Sequence, residues 1–149
     1  MNQLEQRVRI QRRLGRYLER QRDALQGYVA LLEQERGAIA SGDADRLGYY
    51  AALEGELVAG LAALGRVIEP LDGLYRRTRP PEEPAITGLR DTLRRLGEQA
   101  RIGNQENRSL LRDRLAQLRL EITEVSRLAK PAPSPYASIG EPRLVDIRS

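Results

Sequence analysis

Apolar residues fall at multiples of seven along the first forty positions: Leu4, Leu18, Leu25, Leu32 and Ile39, with Leu14 and Tyr28 at intervening seam positions. This spacing predicts a long amphipathic helix over about residues 2–40, roughly 55 Å at 1.5 Å per residue. Gln11, Gln21 and Glu35 also fall on the seam, so the helix is a weak free-standing coiled coil. Ser41-Gly42-Asp43 interrupts the pattern. Gly42 suits the left-handed position that closes one helix, and Asp43 suits the N-cap of the next. So short a connection turns the second helix back antiparallel on the first.

The second helix, expected over 44–77, carries Leu47, Tyr50, Leu57, Leu61, Leu64, Ile68, Leu71 and Tyr75 at three- and four-residue steps, with Glu54 the one charged seam position. Pro70 lacks a donor and predicts a kink, because the apolar spacing continues past it through Leu71 and Leu74. Glycines 48, 55, 60, 65 and 73 each lower intrinsic helicity by about 1 kcal/mol relative to Ala, so packing has to hold this helix. Thr78 to Pro84 reads as a loop. The third helix, expected over 86–129, repeats the pattern with Ile86, Leu89, Leu93, Leu96 and Ala100, is polar at Asn104 and Asn107, and resumes at Leu110, Leu111, Leu115, Leu118, Ile122, Val125 and Ala129. The shift in the stripe allows one helix to present different faces to different neighbours. The expected architecture is an all-α, elongated antiparallel bundle over 1–129, followed by a flexible Pro-rich tail over 130–149.

Composition removes most catalytic chemistry. With no Cys and no His, the chain lacks thiol chemistry, the usual general base near neutral pH and the commonest metal ligand. The carboxylate pairs Asp43/Asp45, Glu54/Glu56 and Glu82/Glu83 have no base, phosphate loop or metal-ligand spacing beside them. The expectation is a protein that is not an enzyme and takes no metal or cofactor. Charged residues make up 31% of the chain with a net charge of +4, signs interleaved. No stretch reaches the roughly 20 apolar residues of a membrane span, and the N-terminus has no apolar signal core. The expected location is the cytoplasm, without membrane insertion.

Asn104, Gln105 and Asn107 have two readings: register control within a bundle, or a side of the helix that a partner covers. Arg7, Arg9, Arg12, Arg13, Arg16, Arg20 and Arg22 read as spread around the first helix, whereas a nucleic-acid binder needs them on one stripe. A solvated face or attraction to an acidic partner fits better, and nucleic acid is not expected as a ligand. The tail, with Tyr136, Ile139, Leu144, Val145 and Ile147, is more apolar than a solubilising end requires and resembles segments that fold on a partner.

Three segments occur in an order that resembles the FlgN family of flagellar type III export chaperones. They are Leu31-Leu32-Glu33-Gln34-Glu35, followed by Ala38 and then by Ser41-Gly42-Asp43-Ala44-Asp45-Arg46-Leu47; Asn104-Gln105-Glu106-Asn107-Arg108-Ser109-Leu110-Leu111; and Tyr136-Ala137-Ser138-Ile139-Gly140 with Asp146-Ile147-Arg148. The resemblance implies cytoplasmic binding of the hook–filament junction proteins FlgK and FlgL. Their amphipathic terminal helices would be masked and delivered to the export gate. It also implies a client surface in the C-terminal part and a gate-docking tyrosine near the end, matched here by Tyr136, with FlhA as the gate protein. The expected client surface is Asn104, Asn107, Leu110, Leu111, Leu115, Leu118, Ile122, Val125 and Leu128, in a helix-in-groove mode. Which of these face the bundle and which the client is open at this level. Two rivals remain: a coiled coil that only self-associates, for instance as a homodimer, and an Arg-rich nucleic-acid binder, whose affinity would fall steeply with salt.

Overall fold

The computed structural model describes residues 2–81 and 83–129. Three helices account for nearly all of them: α1 (Gln3–Ser41), α2 (Ala44–Arg77) and α3 (Pro84–Leu128). The protein is an all-α helical bundle. By contacts the chain divides into two units, Met1–Asp113 and Arg114–Ser149.

Local chemistry sets the helix ends. Asn2 caps α1, its side-chain oxygen accepting from the Glu5 N–H at 2.8 Å. Gly42 closes α1 in the left-handed region (φ 70), and its N–H returns to Ala38 and Ile39. A side chain there would meet the Cβ penalty that glycine avoids. Asp43 then starts α2 by accepting from the Arg46 N–H at 3.1 Å. Both turn residues act as their types predict. α2 continues through Pro70 to Arg77, consistent with burial of Leu71 and Tyr75 beyond it. α3 begins on Pro84, where the missing N–H costs nothing because the first helical donors have no intrahelical partner.

Within Met1–Asp113 the side chains define the topology. Arg7 near the start of α1 donates to the carbonyl of Thr78 just after α2 (2.9 Å), and Tyr28 of α1 donates to Glu54 of α2 (3.1 Å). The two helices therefore run antiparallel. Arg90 of α3 pairs with Asp72 of α2, while Glu106 further along α3 meets Arg36 of α1 at 3.2 Å. So α3 returns antiparallel to α2 and parallel to α1. The core is built in steps along the axis. At one end Leu14, Leu18, Leu71, Tyr75 and Ile86 pack together from all three helices. In the middle Tyr28 and Leu32 meet Ala100. At the hairpin end Leu31, Ala38 and Tyr50 form a cluster from α1 and α2.

The α1 arginines differ from the sequence reading. At about 100° per residue, Arg9, Arg12, Arg13, Arg16 and Arg20 share one side of α1, and all five are exposed. Only Arg7 and Arg22 lie off that side, and both are half-buried. The cluster is not spread around the helix, because the buried seam at Leu14 and Leu18 occupies the opposite side.

Candidate functional site

The proposed client residues on α3 separate into two groups. Asn107 is buried, 4% exposed, and its amide nitrogen donates to the Leu32 carbonyl of α1 at 2.9 Å. It ties α3 to α1, as the register reading of a polar seam residue has it. Asn104 and Leu110 are half-buried. Between α1 and α3, beside Asn107, lies a groove of about 310 Å³ lined by Val29, Leu32, Ile102 and Gly103, with Arg36 and Glu106 at its rim.

The second group is uncovered. Leu111, Leu115, Leu118, Ile122, Val125 and Leu128 are 40–82% exposed. No described residue from Leu111 to Ala129 is buried or half-buried. Leu111, Leu115, Leu118, Ile122 and Val125 follow one another at steps of four and three, the spacing of a coiled-coil seam. A helix of about four turns with this stripe leaves apolar surface in water that a second helix would cover. At roughly 25 cal/mol per Å² this is a substantial driving force for association. Tyr136 lies outside the described residues.

Two carboxyls, separate seam positions in the sequence, meet between α1 and α2. Glu35 lies beside Glu54, and its carboxyl is held above the usual range by burial and by the neighbouring carboxylate. Glu35 Oε2 is buried without a hydrogen-bond partner among the described residues. Tyr28, which donates to Glu54, is pushed up to about 12 by burial and by the Glu54 charge. The heptad positions of Glu35 and Glu54 marked both as inward-facing, and only the pairing of the two helices shows that they meet. Further toward the loop, the Arg90 guanidinium holds the Asp72 carboxyl below its ordinary value. Among the described residues no group of three or more His, Cys, Asp or Glu is arranged to hold a metal ion. Among them, too, no helix is long and apolar enough to cross a membrane.

Bundle and uncovered stripe together define an all-α protein that presents an apolar helical surface. The family model described as FlgN protein matches residues 10–143. The chain belongs to the FlgN family, a family of flagellar export chaperones. An uncharacterized protein of Treponema pallidum (strain Nichols) is similar to it, 28% identical over 122 residues that cover 82% of this chain and 79% of that protein. No solved structure matches the chain.

Proposed function

We propose that this protein is a cytoplasmic chaperone that binds the terminal amphipathic helices of the hook-associated proteins FlgK and FlgL, masks them, and hands them to the export gate protein FlhA. Membership in a chaperone family supports the general reading. The observation that carries the particular one is the uncovered seam at Leu111, Leu115, Leu118, Ile122 and Val125. An amphipathic client helix laid along it would bury apolar faces on both sides, and the same faces left free would promote aggregation. Asn107 and the residues around it then belong to the bundle, and the client surface is narrowed to Leu111 and beyond.

The test is co-purification and titration with FlgK-like and FlgL-like clients. Each buried leucine contributes roughly 1.5–3 kcal/mol, so Leu111→Glu with Leu118→Glu should weaken client binding about a hundredfold or more. Intact protein that binds neither client at micromolar concentration sinks the proposal. Tyr136→Ala in the full chain separates the two roles: client binding should persist while docking on FlhA weakens. Equal loss of both would move Tyr136 into the client surface.

The uncovered seam also favours a second reading, self-association. In a parallel two-stranded coil with this seam, Arg114 of one chain faces Arg119 of the other, a like-charge contact at flanking positions that ordinarily carry opposite charges. Sedimentation of the full chain distinguishes the readings. A tight dimer that dissociates on Leu118→Glu supports self-association, and a monomer that gains mass only with client supports the chaperone.

A further inference from the structure

The exposed arginines of α1 form a row that the fold does not use. Arg9, Arg12, Arg13, Arg16 and Arg20 lie within an arc of about 100° and a length of about 16 Å, at 100° and 1.5 Å per residue. All five are exposed. Among the described residues none of the five is within ion-pair distance of a carboxylate. The two arginines of the cluster that leave the row are engaged locally: Arg7 donates to the Thr78 carbonyl, and Arg22 pairs with Asp23 at 3.2 Å. Like charges three and four positions apart on a helix repel. The row therefore costs the isolated fold some stability, and no ion pair offsets the cost.

Its ends are defined. Glu5 precedes the row on the same side, and Glu19 and Asp23 close it. Leu4, 64% exposed, and Val8, 37% exposed, supply the apolar part of a shallow hollow that Glu5, Arg9, Arg12 and Arg16 also line. At the other end the Arg20 guanidinium lies 5.3 Å from the centre of the Tyr17 ring, a contact that holds it in place.

We propose that this row docks an acidic helical segment of another protein, one with carboxylates at three- and four-residue spacing over about three turns and an apolar residue to fill the hollow at Leu4 and Val8. The bounded pattern selects this occupant. A membrane surface or a nucleic acid is uniformly negative over a much longer span, and would meet the carboxylates at both ends of the row as repulsion. A second helix with its own row has the same pitch, can stop where the row stops, and can be discriminated by register. Exposed ion pairs contribute little singly, but a row of them acts on encounter rate and orientation. The site is on a different helix from the seam of α3 and does not rest on the client reading.

The probe is a synthetic helical peptide with four glutamates on one face, spaced by four, three and four, and one leucine a turn beyond them. Its control is a permuted peptide of the same composition with the glutamates dispersed around the helix. Full-length protein should bind the row peptide about tenfold or more tighter than the permuted one at physiological salt, with affinity falling as salt rises. Substituting Arg9→Glu, Arg13→Glu, Arg16→Glu and Arg20→Glu together should abolish the difference while leaving the helical signal and melting temperature intact. If that variant does not fold, the corresponding four Arg→Gln changes serve in its place. Equal binding of the two peptides overturns the proposal. So does tighter binding to phosphatidylglycerol vesicles or to a random DNA duplex, or a salt-sensitive self-dimer lost in the variant, which would make a second copy the occupant.

Discussion

Asn107 shows how one residue can be flagged by sequence and still need the structure to be understood. Its place in an apolar seam marks it as unusual, but its partner is a backbone carbonyl of α1, Leu32, far away in sequence. No spacing rule within α3 identifies that contact, because it depends on the register between two helices. A helix carbonyl already accepts one bond from within its own helix, so the amide adds a second and removal of the amide leaves no orphaned backbone acceptor. The prediction is therefore graded. Asn107→Leu should change stability by less than about 1 kcal/mol, since no buried polar group is left unpaired. Asn107→Asp sets a buried carboxylate against a carbonyl oxygen and should cost about 2–3 kcal/mol. Urea unfolding of both variants at neutral pH checks the order. If Leu is the worse substitution, the amide rather than the space it fills is what joins the helices.

Between elements, the contacts are mostly apolar, with two polar ones that respond to pH in opposite directions. The Glu35 carboxyl is raised by burial and by Glu54. Its folded form holds a proton that the unfolded chain releases near pH 4.3, so its contribution to stability falls as pH rises from about 4.3 through the raised value. Asp72 is lowered by its hydrogen bond from Arg90, partly offset by burial. That contribution is present above about pH 3.9 and is lost as pH falls through the depressed value. Glu35→Gln should melt higher than the wild type at pH 7, with the advantage shrinking toward pH 4. Asp72→Asn should melt lower at pH 7, with the deficit closing below about pH 3.9. Thermal melts across this range read both, and a Glu35→Gln variant less stable at pH 7 would show that Glu35 is held in a favourable ion pair instead. The heptad pattern placed Glu35 and Glu54 facing inward, and the caps at Gly42 and Asp43 gave the turn between the helices. The arginine row is legible in the sequence as well, because at 100° per residue five of the seven arginines fall within one arc while Arg7 and Arg22 fall outside it.

For the whole molecule, the periodicity of α3 gives the apolar side along its length and says nothing of what covers it. The same spacing runs through Leu96 and Ala100, which are buried, and through Leu118 and Ile122, which are not. Amphipathicity is a local property, and burial is set by which neighbours are present. That is why the all-α bundle could be read from the sequence while the division of the client residues could not. The consequence is that folding and binding should separate under mutation. Leu14, fully buried, contributes to the core that α1, α2 and α3 share, and Leu14→Ala should cost about 2–5 kcal/mol. Leu111→Glu with Leu118→Glu acts on residues 40% and 49% exposed, and each should stay within about 0.5 kcal/mol. The double variant should keep the wild-type melting temperature to within about 3 °C, aggregate less on concentration, and fail to bind a client helix. A fall in melting temperature comparable to that of Leu14→Ala would show that the stripe is covered within the folded chain, and the client surface would then have to lie elsewhere.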